Sequence, residues 1–206
     1  MNETAEKFWK TRTEYPPVIY NSQRRYLDLG LILKHVDGAN SILDIGCGEG
    51  HLLLMLRELT EIEIYIGYDL SQIFINNMKK RWGDCTKLQV RAMNFLETGK
   101  FQLADMCTCM GVMPYISDTG LKYMLSKIRS VWFICRAPCS MNNRIEVDKF
   151  SENYNDNYAA IYRTLPEYIS ILSDFFNIES IGRCYPDEIE SKYGTKQFYF
   201  VCEKKE

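Results

Sequence analysis

A glycine-rich turn in the first part of the chain constrains the fold more than any other feature. The apolar run 41–45, SILDI, leads into Gly46, Gly48 and Gly50, and an amphipathic run, 51–56, follows. A strand, a turn of glycines and a helix in this order form the unit that cradles a nucleotide. Glycine lets the backbone turn sharply and approach a ligand closely. The stretch therefore predicts an α/β fold with a ligand site at the turn.

Two acidic residues narrow the identity of that ligand. Asp44 precedes the first glycine by two positions, and Asp69 ends the next predicted strand, 63–68. An acidic residue at the end of the second strand suits the two hydroxyl groups of a ribose. A carboxylate at position 44 repels a pyrophosphate but favours a cation, such as the amino group of a methionine moiety. The pattern therefore points to S-adenosylmethionine.

The stretch 42–50, ILDIGCGEG, resembles motif I of the class I S-adenosylmethionine-dependent methyltransferases, and Asp69 matches their acidic ribose ligand. The resemblance covers residues 41–138. It implies a three-layer Rossmann-like α/β fold, in which helices flank a mostly parallel seven-stranded sheet with an antiparallel last strand. It also implies a methyltransferase of the small-molecule or glycan-modifying type, with S-adenosyl-L-methionine as cofactor and S-adenosyl-L-homocysteine as product.

The resemblance implies a set of cofactor contacts, which are Asp44, Gly46, Cys47, Gly48, Gly50, Asp69, Leu70, Asn94, Phe95, Met110, Tyr20 and Arg25. Asn94 stands where the family usually has an acidic residue that meets the adenine amino group, and an amide oxygen can accept the same hydrogen bond. Tyr20, Arg24 and Arg25 lie at the start of a predicted helix. One of them is expected to meet the cofactor carboxylate or an acidic acceptor, and a solvated helix end is the alternative.

The chain is expected to form one domain with four parts. These are an N-terminal helical cover (1–38), a cofactor-binding core (39–136), a substrate lid (137–164) and a C-terminal helix with a strand pair (165–206). The lid is rich in Asn, Tyr, Asp and Ser and interrupts the alternation of strands and helices. An insertion of this kind is predicted to cover the acceptor. A variable surface loop without ligand contacts is the alternative.

Periodicity and turn residues predict the remaining elements. Helices are expected at 3–13, at 22–36 and, after Ser71, at 72–82. Two more helices are expected, one that begins at a capping Asp118 and one that follows a capping box formed by Thr164 and Glu167. Further strands are expected at 87–92, 101–110, 131–136, 177–184 and 197–202.

Methyl transfer from a sulfonium is an in-line displacement, in which the protein mainly aligns the reactants and excludes water. A hydroxyl acceptor also needs a base, whereas an anionic acceptor needs only positioning, which arginine can supply. The candidate catalytic residues are His51, Tyr115 and Arg163, and the candidate acceptor-binding residues are Arg136, Tyr158 and Tyr162. A solvent-facing histidine at a helix end is the alternative for His51.

The acceptor is expected to be a small polar molecule that is methylated on oxygen. The fourth predicted strand is followed by MGVM rather than by the NPPY or DPPY run of enzymes that methylate amino groups of DNA and glutamine. Basic residues do not form a stripe with interleaved aromatics, which disfavours nucleic acid as a partner. A sugar or a phosphorylated or carboxylated metabolite suits the polar lid.

Composition bounds the remaining possibilities. The formal net charge of −2 gives no general attraction to nucleic acid or to anionic membranes. The eight cysteines include no CxxC pair and are accompanied by only two histidines, so we expect buried, reduced thiols and no metal site. The N-terminal stretch has no apolar signal core, and no apolar run is long enough to span a membrane. A cytoplasmic monomer or homodimer is expected.

Two other functions stay open at this point. A nicotinamide-dependent oxidoreductase has a related sheet, although the spacing of the third glycine and the carboxylate of Asp44 speak against it. A non-catalytic subunit that binds S-adenosylmethionine and acts through a partner is the other alternative.

Overall fold

The computed structural model describes residues 1–14, 22–35, 38–59, 62–83, 88–188, 190 and 194–205. The described helices are α1 (Glu3–Lys10), α2 (Ser22–Leu33), α3 (His51–Leu59), α4 (Gln72–Trp82), α5 (Asp118–Lys127) and α6 (Leu165–Ser173), with a short 3₁₀ turn at Met113–Tyr115. The described strands are β1 (Ser41–Ile45), β2 (Ile64–Asp69), β3 (Leu88–Ala92), β4 (Met106–Met110), β5 (Trp132–Ser140), β6 (Ile145–Ser151), β7 (Asp156–Tyr162), β8 (Phe176–Arg183) and β9 (Thr195–Lys204).

Seven strands form the main sheet in the order β3-β2-β1-β4-β5-β9-β8. Strands β1 to β5 pair in parallel, and β9 runs antiparallel to both β5 and β8. The order reverses between β1 and β4, and ligands of such sheets bind outside the carboxyl ends of the strands at this reversal. The predicted fold, a mostly parallel seven-stranded sheet with an antiparallel last strand, is confirmed.

Apolar side chains cover both faces of the sheet. On one face α5 and α6 bury residues such as Leu125 and Leu172, and on the other α3 and α4 bury residues such as Leu56 and Ile75. Two helix starts follow the sequence prediction: the Ser71 hydroxyl accepts a hydrogen bond from the Phe74 amide, and Thr164 forms a capping box with Glu167. The sheet is therefore a rigid support for the loops at its carboxyl edge.

Several predicted boundaries were wrong. The first two helices end at Lys10 and Leu33, earlier than predicted, and Ser117 rather than Asp118 caps α5. Strand β4 begins only at Met106, because the preceding residues lie outside the ladder although Phe101 is buried. Strand β5 continues to Ser140 instead of ending at Arg136, because its second half pairs with β9.

The predicted lid is an antiparallel β6–β7 hairpin that packs against α1. From here on, the cover means α1 together with this hairpin, in place of the helical cover predicted at 1–38. Phe8 contacts Tyr154 and Tyr158 with ring centroids 5.4 Å apart in each pair. Arg12 donates to the Asp156 carboxylate at 3.1 Å and lies 4.0 Å above the Phe8 ring. The cover therefore has a small aromatic core of its own. The division of the chain into four parts stays a prediction.

Candidate active site

A cavity of about 600 Å³ lies between the carboxyl edge of the sheet and the cover. Its walls come from the glycine turn, the ends of β2, β4 and β5, helix α2 and the aromatic side of the cover. Cavities of this size and place hold small molecules and cofactors. The following residues determine what it can bind.

The glycine turn brings β1 close to the loop after β4. Gly46 has a φ of +79°, and a Cβ atom there would lie 2.2 Å from Cγ2 of Val112. The amides of Gly46 and Cys47 both donate to the carbonyl of Tyr68, at 2.7 and 3.1 Å. Only glycine fits at position 46, because a side chain would strain the backbone and collide with Val112. The turn is therefore held as a bare backbone wall of the cavity.

Asp69 fastens this wall to the end of β2. One carboxylate oxygen accepts a hydrogen bond from the Gly48 amide at 2.9 Å, and the other accepts one from the Ser71 amide at 2.9 Å. Burial raises the pKa of Asp69, while these amide bonds oppose the rise. A carboxylate oxygen can accept more than one hydrogen bond. Asp69 also lines the cavity, so it can bind two hydroxyl groups of a ligand while it holds the turn.

Asp44 lies on the other side of the turn and is 4% exposed. Its carboxylate accepts hydrogen bonds from the Tyr65 hydroxyl and, at 2.9 Å, from the Thr108 hydroxyl. Burial raises its pKa to about 6. Because an ionised carboxylate in a buried place is favoured by a nearby cation, Asp44 suits a positively charged part of a ligand.

Three tyrosine hydroxyls form a chain between the cover and the loop after β4. Tyr158 donates to Tyr115 over 3.4 Å, and the hydroxyls of Tyr158 and Tyr162 are 2.9 Å apart. Burial raises the pKa of each of the three phenols. All three therefore stay protonated at neutral pH. Since three hydroxyl hydrogens serve two internal bonds, one O–H at an end of the chain remains to donate to a ligand.

A group of polar side chains, which we call the polar wall, closes the cavity beyond β4. Its members are Asp28, Arg136, Tyr185 and Gln197. Arg136 pairs with Asp28 through Nε at 2.9 Å and donates from Nη1 to Gln197 at 2.9 Å, and the Tyr185 hydroxyl donates to Asp28 at 2.9 Å. Burial lowers the pKa of Arg136, but the adjacent Asp28 carboxylate outweighs this and raises it above its ordinary value. Arg136 therefore remains charged.

Three solved structures with a similar fold are methyltransferases that contain S-adenosyl-L-homocysteine. Geranyl diphosphate C-methyltransferase from Streptomyces coelicolor, solved with Mg²⁺, geranyl diphosphate and S-adenosyl-L-homocysteine, has a TM-score of 0.70 at 13% identity, and the match covers 98% of this chain and 97% of that chain. The N-methyltransferase NodS from Bradyrhizobium japonicum, solved with S-adenosyl-L-homocysteine, has a TM-score of 0.68 at 13% identity, with the same two coverages. The O-methyltransferase from a trans-AT PKS multienzyme of Brevibacillus brevis has a TM-score of 0.67 at 14% identity and covers 88% of this chain and 72% of that chain.

A family profile described as "Methyltransferase domain" matches residues 42–132, which include the glycine turn, Asp69 and β4. The match identifies residues 42–132 as a methyltransferase domain of the class I S-adenosylmethionine-dependent type. Its cofactor is S-adenosylmethionine, so the oxidoreductase alternative is wrong. A comparison with curated proteins finds no match to this methyltransferase.

The cavity of the methyltransferase brings together most of the predicted site residues. Those that line it are Asp44, Gly46, Cys47, His51, Asp69, Leu70, Phe95, Met110, Tyr115, Arg136, Tyr158 and Tyr162. Gly48 and Gly50 shape the turn without lining the cavity. The amide of Gly48 is bonded to Asp69, and a Cβ at Gly50 would lie 2.7 Å from Cε of Met78. Tyr20 lies outside the described residues, and the side chain of Arg25 does as well.

The prediction that Arg163 acts in catalysis was wrong. Its side chain is fully buried and does not line the cavity. Nε donates to Asp118 at 2.8 Å, and the two terminal nitrogens donate to the carbonyls of Met113 and Ile116 at 3.2 and 2.6 Å. Arg163 turns inward at the end of β7 and fastens the connection between β4 and α5. It therefore shapes the site without touching a ligand.

The structure also separates Asn94 from the cavity, although its neighbour Phe95 lines it. The Asn94 amide oxygen accepts from the Leu96 amide at 3.1 Å, and its nitrogen donates to Glu97 at 3.0 Å. These local bonds form a turn that occupies the side chain. The predicted contact with adenine therefore has no support in this conformation.

Sequence reasoning missed the cavity residues Trp9, Asp28, Tyr185 and Gln197. They come from elements far apart in the chain and lie in no motif. The only available signal was the adjacent pair Phe8 and Trp9 in an otherwise polar helix.

The described residues contain no group of three or more His, Cys, Asp or Glu side chains that could hold a metal ion. Within the same part of the chain, no helix combines the length and the apolar character needed to cross a bilayer. The seven described cysteines are free thiols, and six of them are buried, as predicted; Cys85 lies outside the described residues.

Proposed function

We propose that this methyltransferase binds S-adenosylmethionine across the glycine turn and transfers the methyl group to an oxygen of a small polar acceptor held under the cover. The observation that carries this proposal is the pair of carboxylates, Asp44 and Asp69, which stand on either side of the turn and face one cavity. A ribose and a cationic amino group are the ligand parts that such a pair recognises.

The order of the strands suggests how the cofactor lies. Asp69 and Leu70, at the end of β2, are assigned to the ribose, and Phe95, after β3, to the adenine face. Asp44 is assigned to the amino group of the methionine part. Met110, at the end of β4, then lies on the side of the reacting methyl group. These assignments follow the sheet from β3 through β2 and β1 to β4.

The residues around the acceptor position it and keep water out. S-adenosylmethionine supplies a methyl group that is already activated on a sulfonium. Tyr115, Tyr158 and Tyr162 remain protonated, so the free end of their chain donates a hydrogen bond to an acceptor oxygen. This assigns Tyr115 to positioning, because a protonated phenol is not a base. His51, the first residue of α3 and part of the cavity lining, is assigned to proton removal from a hydroxyl acceptor.

The structure gives little support to the hypothesis that arginine side chains position an anionic acceptor. Arg163 is buried elsewhere, and among the described residues Arg136 is the only lysine or arginine that lines the cavity. Similar folds transfer methyl groups to carbon, nitrogen and oxygen according to their names, so the fold leaves the choice to the cavity. The hydrogen-bonding character of its walls favours an oxygen-rich acceptor.

Equilibrium dialysis with labelled S-adenosylmethionine and with NAD tests the cofactor part of the proposal. We expect saturable binding of the first and none of the second. An acceptor screen read out by S-adenosylhomocysteine release tests the rest. Binding without release from any hydroxylated acceptor in the presence of an intact His51 would contradict the transfer to oxygen, and His51→Gln should abolish release while leaving cofactor binding in place.

A further inference from the structure

Two members of the polar wall, Arg136 on β5 and Gln197 on β9, lie beyond β4 in the order of the sheet, away from β1 and β2. Arg136 is on β5, and the register pairs it with Met110 of β4. Two strand spacings separate β5 from β1, which is about 10 Å. The amide of Gly111 donates to the Arg136 carbonyl at 2.9 Å, so the loop after β4 separates the glycine turn from the polar wall. A molecule bound beyond the methyl group would therefore meet Arg136.

The guanidinium of Arg136 lies close to the backbone of Gly111. Gly111 has a φ of +81°, and a Cβ at this position would lie 3.3 Å from Nη2 of Arg136. Nε and Nη1 are used by Asp28 and Gln197. Nη2 makes no hydrogen bond within the described part of the chain. Gln197 uses its amide oxygen for Arg136, so its amide nitrogen is likewise left to donate. Both side chains line the cavity, which therefore offers two sets of N–H donors here.

The charge of the polar wall decides which ligand those donors suit. Asp28 contacts Arg136 at 2.9 Å and cancels its charge. The charged Asp, Glu, Lys and Arg residues in the described cavity lining are Asp28, Asp44, Asp69 and Arg136, an excess of acidic groups. An added anion would have to approach the carboxylate of Asp28 together with the guanidinium. Donors without net charge bind carbonyl and hydroxyl oxygens without attracting anions.

We propose that Asp28, Arg136 and Gln197 form an acceptor subsite for a neutral group rich in hydroxyl or carbonyl oxygens, in which Asp28 excludes anionic acceptors by cancelling the charge of Arg136. This subsite rests on the proposed function only in being the place of the methyl acceptor. Its charge preference is a property of the three side chains and can be measured without turnover. Asp28 is thus the residue that sets specificity.

Inorganic phosphate is the probe, titrated by calorimetry into the protein with and without saturating S-adenosylhomocysteine. The Asp28→Asn variant keeps the size and an acceptor oxygen for Arg136 and Tyr185, but it leaves the guanidinium charge uncancelled. We expect it to bind phosphate about tenfold more tightly than the wild type. Asp28→Ser removes the same charge and serves as a second variant if the first does not fold.

Two controls test whether the gain in phosphate affinity comes from Arg136 in the cavity. Asp148→Asn removes the same charge from a carboxylate that bonds to Asn2 on the cover and does not line the cavity, so phosphate affinity should not change. In the double variant Asp28→Asn/Arg136→Gln the gain should disappear, while S-adenosylhomocysteine affinity stays within about threefold of that of the wild type. This double variant avoids leaving a buried charge without its partner.

The outcomes separate the two proposals. Tight phosphate binding by the wild type, no gain in either Asp28 variant, or a gain that survives the loss of Arg136 overturns the subsite. A large loss of S-adenosylhomocysteine affinity in the double variant also overturns it, because the wall then belongs to the cofactor. Absence of cofactor binding by the wild type rejects the proposed function instead, and the titration without S-adenosylhomocysteine still reports on Arg136.

Discussion

Asp69 fastens the glycine turn and lines the cavity with the same carboxylate. Asp69→Ala should weaken S-adenosylmethionine binding by about 1–3 kcal/mol, because it removes charge-assisted bonds to the ribose and frees the Gly48 amide. Calorimetric titration measures the loss. Asp105→Ala is a matched control, since Asp105 also accepts two backbone amides, of Asn40 and Ser41, but does not line the cavity. Equal affinities of wild type and Asp69→Ala would refute the assignment.

Asp44 gives cofactor binding a dependence on pH. Burial raises its pKa to about 6 in the free protein. A cationic amino group binds the ionised form, so protonation competes with binding below pH 6. The dissociation constant should be about tenfold higher at pH 5 than at pH 7. Asp44→Asn should weaken binding at pH 7 and remove this contribution. An identical pH profile in the variant would contradict the role of Asp44.

In the free protein, the same raised pKa affects folding stability in the opposite direction: stability falls as the pH rises, whereas cofactor binding strengthens. A carboxyl whose pKa is raised on folding binds its proton more tightly in the folded state. Its contribution is therefore fully present below the unfolded pKa, near 4, and is lost as the pH rises through 6. This loss amounts to about 3 kcal/mol. Bound cofactor reverses the preference, so Asp44 couples ligand binding to the ionisation of a buried group.

At the scale of elements, Arg163 fastens the end of β7 to the connection between β4 and α5. Arg163→Met should lower the free energy of unfolding by about 3 kcal/mol, because two backbone carbonyls, of Met113 and Ile116, lose their donor in a buried place. Urea unfolding measures this. Arg144→Met is the control: Arg144 also pairs with Asp118, but the pair is partly exposed and should contribute at most about 1 kcal/mol. Similar losses in the two variants would disprove the fastening role.

The cover should open independently of the sheet, because its aromatic core is separate from the two main cores. Phe8→Ala removes a 2% exposed ring from this core, which costs about 3 kcal/mol. Hydrogen exchange of the β6 and β7 amides should then speed up about a hundredfold, while β1 and β4 keep their protection. Phe150→Ala, at a 57% exposed ring on the same hairpin, should leave exchange unchanged. Uniform loss of protection would show that the cover and the sheet unfold together.

For the whole molecule, the order of the strands places the proposed cofactor contacts and the polar wall on different strands of the sheet. The proposed cofactor contacts come from β1 to β4 and the loops that follow the first three of them, and the polar wall comes from α2, β5, β9 and the segment after β8. The loop after β4 lies between the two sets. A class I sheet can therefore keep its cofactor chemistry while the elements on the far side change the acceptor.

The same division explains what the sequence predicts. The glycine turn and Asp69 are predictable because their chemistry is local: neighbouring residues form the strand, the turn and the helix start. The polar wall depends on Asp28, Arg136 and Gln197 meeting across the fold, which no spacing encodes. Arg163 was misassigned for the same reason. A charged residue in a polar segment is usually exposed. The folded structure shows instead that the Arg163 side chain is buried and donates hydrogen bonds to Asp118 and to backbone carbonyls.

Buried thiols in both faces and several strands of the sheet make cysteine labelling a measure of global unfolding. Burial raises the pKa of Cys202 to about 12, and the thiols of Cys107 and Cys135 are shifted far above their ordinary pKa. At pH 8 about one Cys202 thiol in ten thousand is ionised. A Cys85→Ser/Cys184→Ser variant, in which the partly exposed Cys184 is also removed, should therefore react with a thiol reagent only after it unfolds, and the six buried cysteines should then react.

Saturating ligand should slow this labelling by a factor of 1 + [L]/Kd, where [L] is the free ligand concentration. At a hundred times the dissociation constant, S-adenosylhomocysteine stabilises the folded state by about 2.7 kcal/mol, so labelling that requires global unfolding should slow about a hundredfold. Cys47 lines the cavity at the glycine turn, whereas Cys202 lies on β9 away from the turn. Equal slowing at the two sites means that both thiols become reactive in one global transition. Slowing at Cys47 alone would mean that the turn opens locally, and that its rigidity depends on the cofactor rather than on Asp69 and Val112.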